Sequence, residues 1–98
     1  MIHIQKKEME IILDILNNHA EDCKVLAFGS RLTENYKPFS DLDLAFICKS
    51  ELGLDRISKL EYEFSKSDLP YRIDIINYKK VSKEFQKIID ANNEKIHR

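Results

Sequence analysis

The apolar positions of this chain alternate between a helical and a strand-like period, with short polar breaks between them. Between residues 5 and 19, Met9, Ile12, Leu13, Leu16 and then Ala20 recur at spacings of three and four, with Ile11 and Ile15 widening the stripe. That spacing predicts an amphipathic helix with Lys6, Lys7, Glu8 and Glu10 on its wet side or ends. The run Val25-Leu26-Ala27-Phe28 predicts a buried strand from about Lys24 to Phe28, ending on Gly29-Ser30. Residues 33 to 39 are polar with one proline and read as a loop. From Asp41 to Ile47 the period drops to two, with Asp41 and Asp43 on one side of the strand and Leu42 and Leu44 on the other.

A second helix is expected from Ser50 to about Ser67, its regular part starting late because of Gly53. Leu54, Ile57, Leu60 and Phe64 form its apolar stripe, while Lys59, Glu61, Glu63 and Lys66 face water. Asp68-Leu69-Pro70 ends it, since proline cannot continue a helix and restricts the residue before it. Tyr71 to Ile76 is a β-branched third strand that places Arg72, Asp74 and Ile76 on one face. A loop over Asn77–Lys80 leads to Ser82, an N-cap for a last helix burying Phe85, Ile88 and Ile89, and the polar tail from Asn92 to Arg98 is expected to fray. The fold class is therefore α/β (α+β): a small mixed β-sheet of three or more strands flanked by helices, in a single domain over 1–98.

Composition removes several function classes. Sixteen basic and seventeen acidic residues give a net charge of −1 without a basic stripe, so bulk nucleic-acid binding is not expected. The apolar runs are far short of a membrane span, and the first residues lack the apolar core of a signal peptide. Cys23 and Cys48 show neither metal spacing nor a disulfide framework and read as reduced thiols of a cytoplasmic protein. His3, His19 and His97 show no ligand spacing either, and His19 suits the C-terminal end of the first helix.

The chemistry gathers around Phe28–Phe46. Gly29 ends a strand without a Cβ, Ser30 adds a hydroxyl, and the turn after it exposes N–H groups, a combination suited to phosphate. Asp41 and Asp43, about 7 Å apart along a strand, can converge on one or two Mg²⁺ ions shared with substrate phosphates. Asp74 is a carboxylate inside an apolar strand, where it is costly unless paired or metal-bound; the alternative is an edge strand on which it faces solvent beside Arg72. Three such carboxylates side by side would raise one another's pKa without a cation. Arg31 has two readings, a guanidinium on a nucleotide phosphate or a surface residue of the turn. Tyr36 and Phe39 are expected to pack under the loop, with bordering a base as the alternative. Ser40 is expected to hydrogen-bond locally and fix the turn before Asp41.

Gly29-Ser30, ten residues, Ser40-Asp41-Leu42-Asp43-Leu44 and a later Asp74 resemble the minimal nucleotidyltransferases of the DNA polymerase β superfamily. The likeness covers roughly residues 5 to 90. One departure is that the family often continues Gly-Ser-Arg with Ala-x-Gly, whereas this chain reads Arg31-Leu32-Thr33-Glu34 with no glycine before Pro38, which implies a differently shaped loop. The resemblance implies a polymerase-β-like core in which Asp41, Asp43 and Asp74 are catalytic and hold Mg²⁺, two ions in all. Gly29, Ser30 and Arg31 would bind the triphosphate of ATP. It implies nucleotidyl rather than phosphoryl transfer, onto an acceptor that larger relatives hold in a second domain. Here a partner, or a second copy forming a shared cleft, would supply it. Minimal members are commonly paired with a HEPN-domain toxin, so the expected function is an antitoxin that adenylylates a tyrosine of that partner. A contact-only binding module and a transferase for a small molecule such as an aminoglycoside are the alternatives.

Overall fold

A computed structural model describes residues 3–33, 36–37 and 39–98. Glu34, Asn35 and Pro38 of the predicted loop, like Met1 and Ile2, lie outside the described residues. In chain order the elements are α1 (Lys6–His19), β1 (Cys23–Phe28), β2 (Leu42–Cys48), α2 (Leu54–Ser65), β3 (Ile73–Asn77), α3 (Lys83–Ala91) and β4 (Asn93–His97). Single 3₁₀ turns occupy Ser30–Leu32 and Tyr78–Lys80, the second within the segment expected to be a plain loop. The sheet runs β3-β2-β1-β4, with β3 parallel to β2 and the other pairs antiparallel. It is a mixed α+β sheet, as the sequence pattern implied.

The period-two pattern divides the core between the two faces of the sheet. Val25, Ala27, Leu42, Leu44 and Phe46 pack with Ile12 and Leu16 of α1 and Leu60 and Phe64 of α2. Leu26, Phe28 and Ala45 pack on the opposite face with Ile89 and Phe85 of α3. Asp43 alternates with Leu42 and Leu44 and so stands on the α3 side of β2. Local signals set the ends of the helices. Gly53 is the N-cap of α2, and the Ser82 side chain accepts a hydrogen bond from Phe85 N–H at the start of α3.

Four expectations are corrected. Residues 93–97 do not fray, because β1 has a second edge and Asn93–His97 pairs with it. His97 is buried there, with Nδ1–H donating to the Cys23 carbonyl at 2.7 Å and Nε2 3.0 Å from the Asn17 amide oxygen. Cys23 and Cys48 face each other across β1 and β2 and form a disulfide, a pairing set by strand register rather than by sequence spacing. Leu54, the first residue of α2, is 82 % exposed because the stripe turns toward the sheet only after it. Ile88 is likewise exposed, since Phe85 and Ile89 take the face of α3 toward the sheet and Ile88 lies about 100° round the helix from Ile89. Among the described residues, no helix is long and apolar enough to cross a membrane.

Candidate active site

Three strand ends meet at one edge of the sheet. Gly29 follows the last residue of β1, Asp41 precedes β2, and Asp74 is the second residue of β3. The register sets Asp43 opposite Phe28 on one side and opposite Asp74 on the other, so two carboxylates on neighbouring parallel strands share one face. Burial, reinforced by the charges of Asp74 and Asp41 and a hydrogen bond with Asp74, pushes the Asp43 carboxyl up to about 6. Asp74 itself is exposed and on an edge strand, as the alternative reading of that strand had it, yet it stands directly against Asp43.

Asp41 is held differently. Its Oδ2 accepts from Arg72 Nη2 at 2.9 Å, an ion pair between side chains that are 44 % and 76 % exposed. The three aspartates therefore share an edge without closing into a tight cage. Among the described residues, the metal-capable side chains whose ligand atoms all lie within 4.8 Å are instead Asp22, Cys23 and Cys48, and there the two sulfurs are bonded to each other. Asp22 is already engaged by Arg56 Nη2 at 2.7 Å and by Ser50, which hold its carboxyl well below the usual range. For a divalent cation the aspartate edge offers hard carboxylate oxygens, the donors Mg²⁺ takes, and a carboxylate pair whose mutual repulsion a cation would relieve.

Gly29 explains how a turn can sit so close to Asp43. Its φ is +89°, a backbone region that L side chains rarely adopt, and a Cβ there would fall on Asp43 Oδ2. Ser30, exposed, opens the 3₁₀ turn, whose Leu32 and Thr33 N–H groups donate back to Gly29 and Ser30 carbonyls. Ser40 fixes the turn before Asp41 by accepting from Lys37 N–H at 3.1 Å, as expected from the sequence.

Arg31 takes a place that neither sequence reading described. It is 4 % exposed, so it is not a surface residue. Its guanidinium donates to the carbonyls of His3, Lys37 and Ser40 at 2.9–3.3 Å and lies 4.0 Å over the Tyr71 ring. Tyr71 in turn donates to Glu8 of α1 at 3.0 Å. A phosphate role would require the guanidinium to leave these carbonyls. The geometry makes Arg31 a clamp between the N-terminal segment, the Ser40 turn and the start of β3. Arg31→Met should leave buried carbonyls without donors and lower stability by about 2–4 kcal/mol, measurable by urea unfolding. Tyr36 packs on the clamp, its ring stacked on His3 at 4.1 Å, whereas Phe39 is 76 % exposed rather than packed under the loop.

Arg72 joins this edge through its ion pair with Asp41. Its place two positions before Asp74, on the same strand face, was the available signal. Cavity size does not locate this chemistry. A concavity of about 950 Å³ opens around Asp22, Cys48 and Lys49, at the other end of the β1–β2 ladder from Asp43. A smaller groove of about 380 Å³, lined by Phe64, Leu69, Tyr71 and Ile73, reaches Arg72.

Comparison with known proteins gives the family of the chain. The family described as polymerase beta nucleotidyltransferase matches residues 10–98. The chain belongs to that family. A probable protein adenylyltransferase, MntA of Haemophilus influenzae (strain Rd), is 39 % identical over 88 residues, covering 90 % of this chain and 77 % of the relative. Among solved structures, a toxin–antitoxin with AMP-PNP superposes with a TM-score of 0.76 at 17 % identity, covering 90 % of this chain and 71 % of that one. A tri-AMPylated HEPN toxin of Shewanella oneidensis in complex with its MNT antitoxin gives 0.73 at 17 % identity, covering 95 % and 71 %. At such identities the structural likeness establishes the nucleotidyltransferase fold alone.

Proposed function

We propose that this nucleotidyltransferase transfers AMP from ATP to a tyrosine hydroxyl of a HEPN-type toxin and thereby acts as its antitoxin. The observation that carries this reading is the register placing Asp43 against Asp74, with Asp41 two residues ahead and the Gly29-Ser30 turn against Asp43. Support for the acceptor comes from the MntA relative and from the toxin–antitoxin complexes that share the fold.

On this reading Asp41, Asp43 and Asp74 would hold Mg²⁺, two ions in all. Bound there, the metal would neutralise charge on the triphosphate and lower the pKa of the acceptor hydroxyl. The Gly29 N–H and the Ser30 hydroxyl bind the leaving phosphates, with no Cβ at Gly29 to hold them off. Asp74, the most exposed of the pair it forms with Asp43, receives the acceptor proton as general base. The tyrosine oxygen bonds to the α-phosphorus, the α–β bridge bond breaks, and pyrophosphate leaves with its electron pair. Arg31 acts at a distance, by fixing the turns that carry Gly29 and Asp41.

The test is transfer of label from α-labelled ATP, with Mg²⁺, to a co-expressed HEPN partner. Label should enter the partner's band with the natural chain and disappear with Asp74→Asn. Retained neutralisation of the toxin by an unlabelled complex would replace transfer with inhibition by contact.

A further inference from the structure

Resting on the metal-dependent reading above, we infer that Arg72 is the built-in counter-ion of the metal centre, released by the cation to bind the nucleotide's triphosphate. Of the three aspartates, Asp41 alone has an ion-pair partner among the described residues, and that partner is Arg72. The two are brought together by the start of the parallel ladder, where Leu42 N–H donates to the Arg72 carbonyl at 2.9 Å. Arg72 therefore stands beside Asp41 by backbone register, not by chance contact of two surface side chains.

The same register places Asp74 two residues further on the same face, opposite Asp43. A guanidinium at this point offsets one carboxylate charge of the edge. It also occupies Oδ2 of Asp41, one of the two oxygens that this acid offers a divalent cation. Because Arg72 is 76 % exposed, no packing has to break for it to swing away. An exposed pair of this kind is weak, so a divalent ion can displace it easily. Once displaced, this planar, permanently charged fork stands at the same end of the sheet as the Gly29-Ser30 turn, with β2 between them, and it suits the phosphate oxygens that arrive with the metal. Arg72 thus exchanges a carboxylate for a phosphate at the moment the nucleotide binds.

The exchange gives opposite signs for two ligands, which separates it from a merely structural role. In Arg72→Gln, Mn²⁺ alone should bind about two- to fivefold tighter, because its competitor for Asp41 is gone. A non-hydrolysable ATP analogue, with Mn²⁺ saturating, should bind about tenfold weaker, because a charge-assisted phosphate contact is lost. Arg72→Lys should restore part of the nucleotide affinity. Free Mn²⁺ is counted by electron paramagnetic resonance and nucleotide by calorimetry, both on the full chain, with thermal melting to show that the variants fold. Unchanged or weaker Mn²⁺ binding in Arg72→Gln overturns the counter-ion, and unchanged analogue binding overturns the exchange. Asp43→Asn keeps the two levels apart. If the natural chain binds Mn²⁺ and this variant does not, the metal-site reading stands whatever Arg72 does. If the natural chain binds no Mn²⁺, both fall.

Discussion

Asp43→Asn should abolish AMP transfer while making the metal-free protein more stable at neutral pH. The loss of transfer follows from removing a carboxylate at the point where the three strand ends meet. On the proposed metal-dependent reading, a contribution of several kcal/mol corresponds to roughly 10³-fold in rate. The gain in stability follows from the position of the same group. Its carboxyl is pushed from 3.8 up to about 6, first by burial and then by Asp74 and Asp41. Between those values the folded chain holds a proton that the unfolded chain has released, so stability falls as pH rises through the window. Above about pH 6 the full cost is present. The unscreened shift corresponds to about 3 kcal/mol, and because the group is only half-buried, about 1 kcal/mol is the realistic size. Asparagine removes that cost, so Tm at pH 7.5 should rise by roughly 4–8 °C. The difference should vanish near pH 4, where the natural carboxyl is mostly protonated in the folded state. If Asp43 holds Mg²⁺ as proposed, millimolar Mg²⁺ should reverse the ranking by stabilising the natural chain alone. A variant that melts like the natural chain at both pH values would mean that Asp43 is not electrostatically strained.

Period and punctuation carried most of the fold. The three- and four-residue spacing of Ile12 and Leu16, and of Leu60 and Phe64, marks helix faces that are indeed buried on one side of the sheet. Gly53 and Ser82 mark helix starts because their physical roles are local. What stayed hidden depends on partners far away in sequence. Residues Asn93–His97 contain one aliphatic side chain, Ile96, and become a strand only because β1 has an open edge for them. The Cys23–Cys48 bond depends on the β1–β2 register, which no spacing rule reveals.

The candidate site divides in the same way. Gly29, Asp41, Asp43 and Asp74 were visible as residue types at fixed intervals, and the register of β1, β2 and β3 brings them to one edge. Arg31 was visible as a residue but its buried place was not, because its neighbours on the chain say nothing of the carbonyls of His3 and Ser40 that surround it. A buried arginine is recognised from the backbone that folds around it, not from its own segment. Arg72 shows the converse case, an exposed side chain whose meaning comes from Asp41 on the neighbouring strand.

Gly29→Ala should damage folding and site together, and the two effects can be separated. The φ of +89° strains any L side chain, at about 1–3 kcal/mol. The new Cβ would also fall on Asp43 Oδ2, which cannot yield toward Asp74 without bringing two carboxylates closer. Together these should lower Tm by more than about 10 °C and reduce transfer more than a loss of folded protein explains. A double-mutant cycle isolates the contact. Asp43→Ala clears the space for the new Cβ, so the pair Gly29→Ala with Asp43→Ala should be less destabilised than the two single effects combined, by about 1 kcal/mol or more in urea unfolding. The residual cost in that background reads the backbone strain alone. Strict additivity would show that the glycine is required only for its φ, and that the turn does not press against the carboxylate on which the proposed chemistry depends.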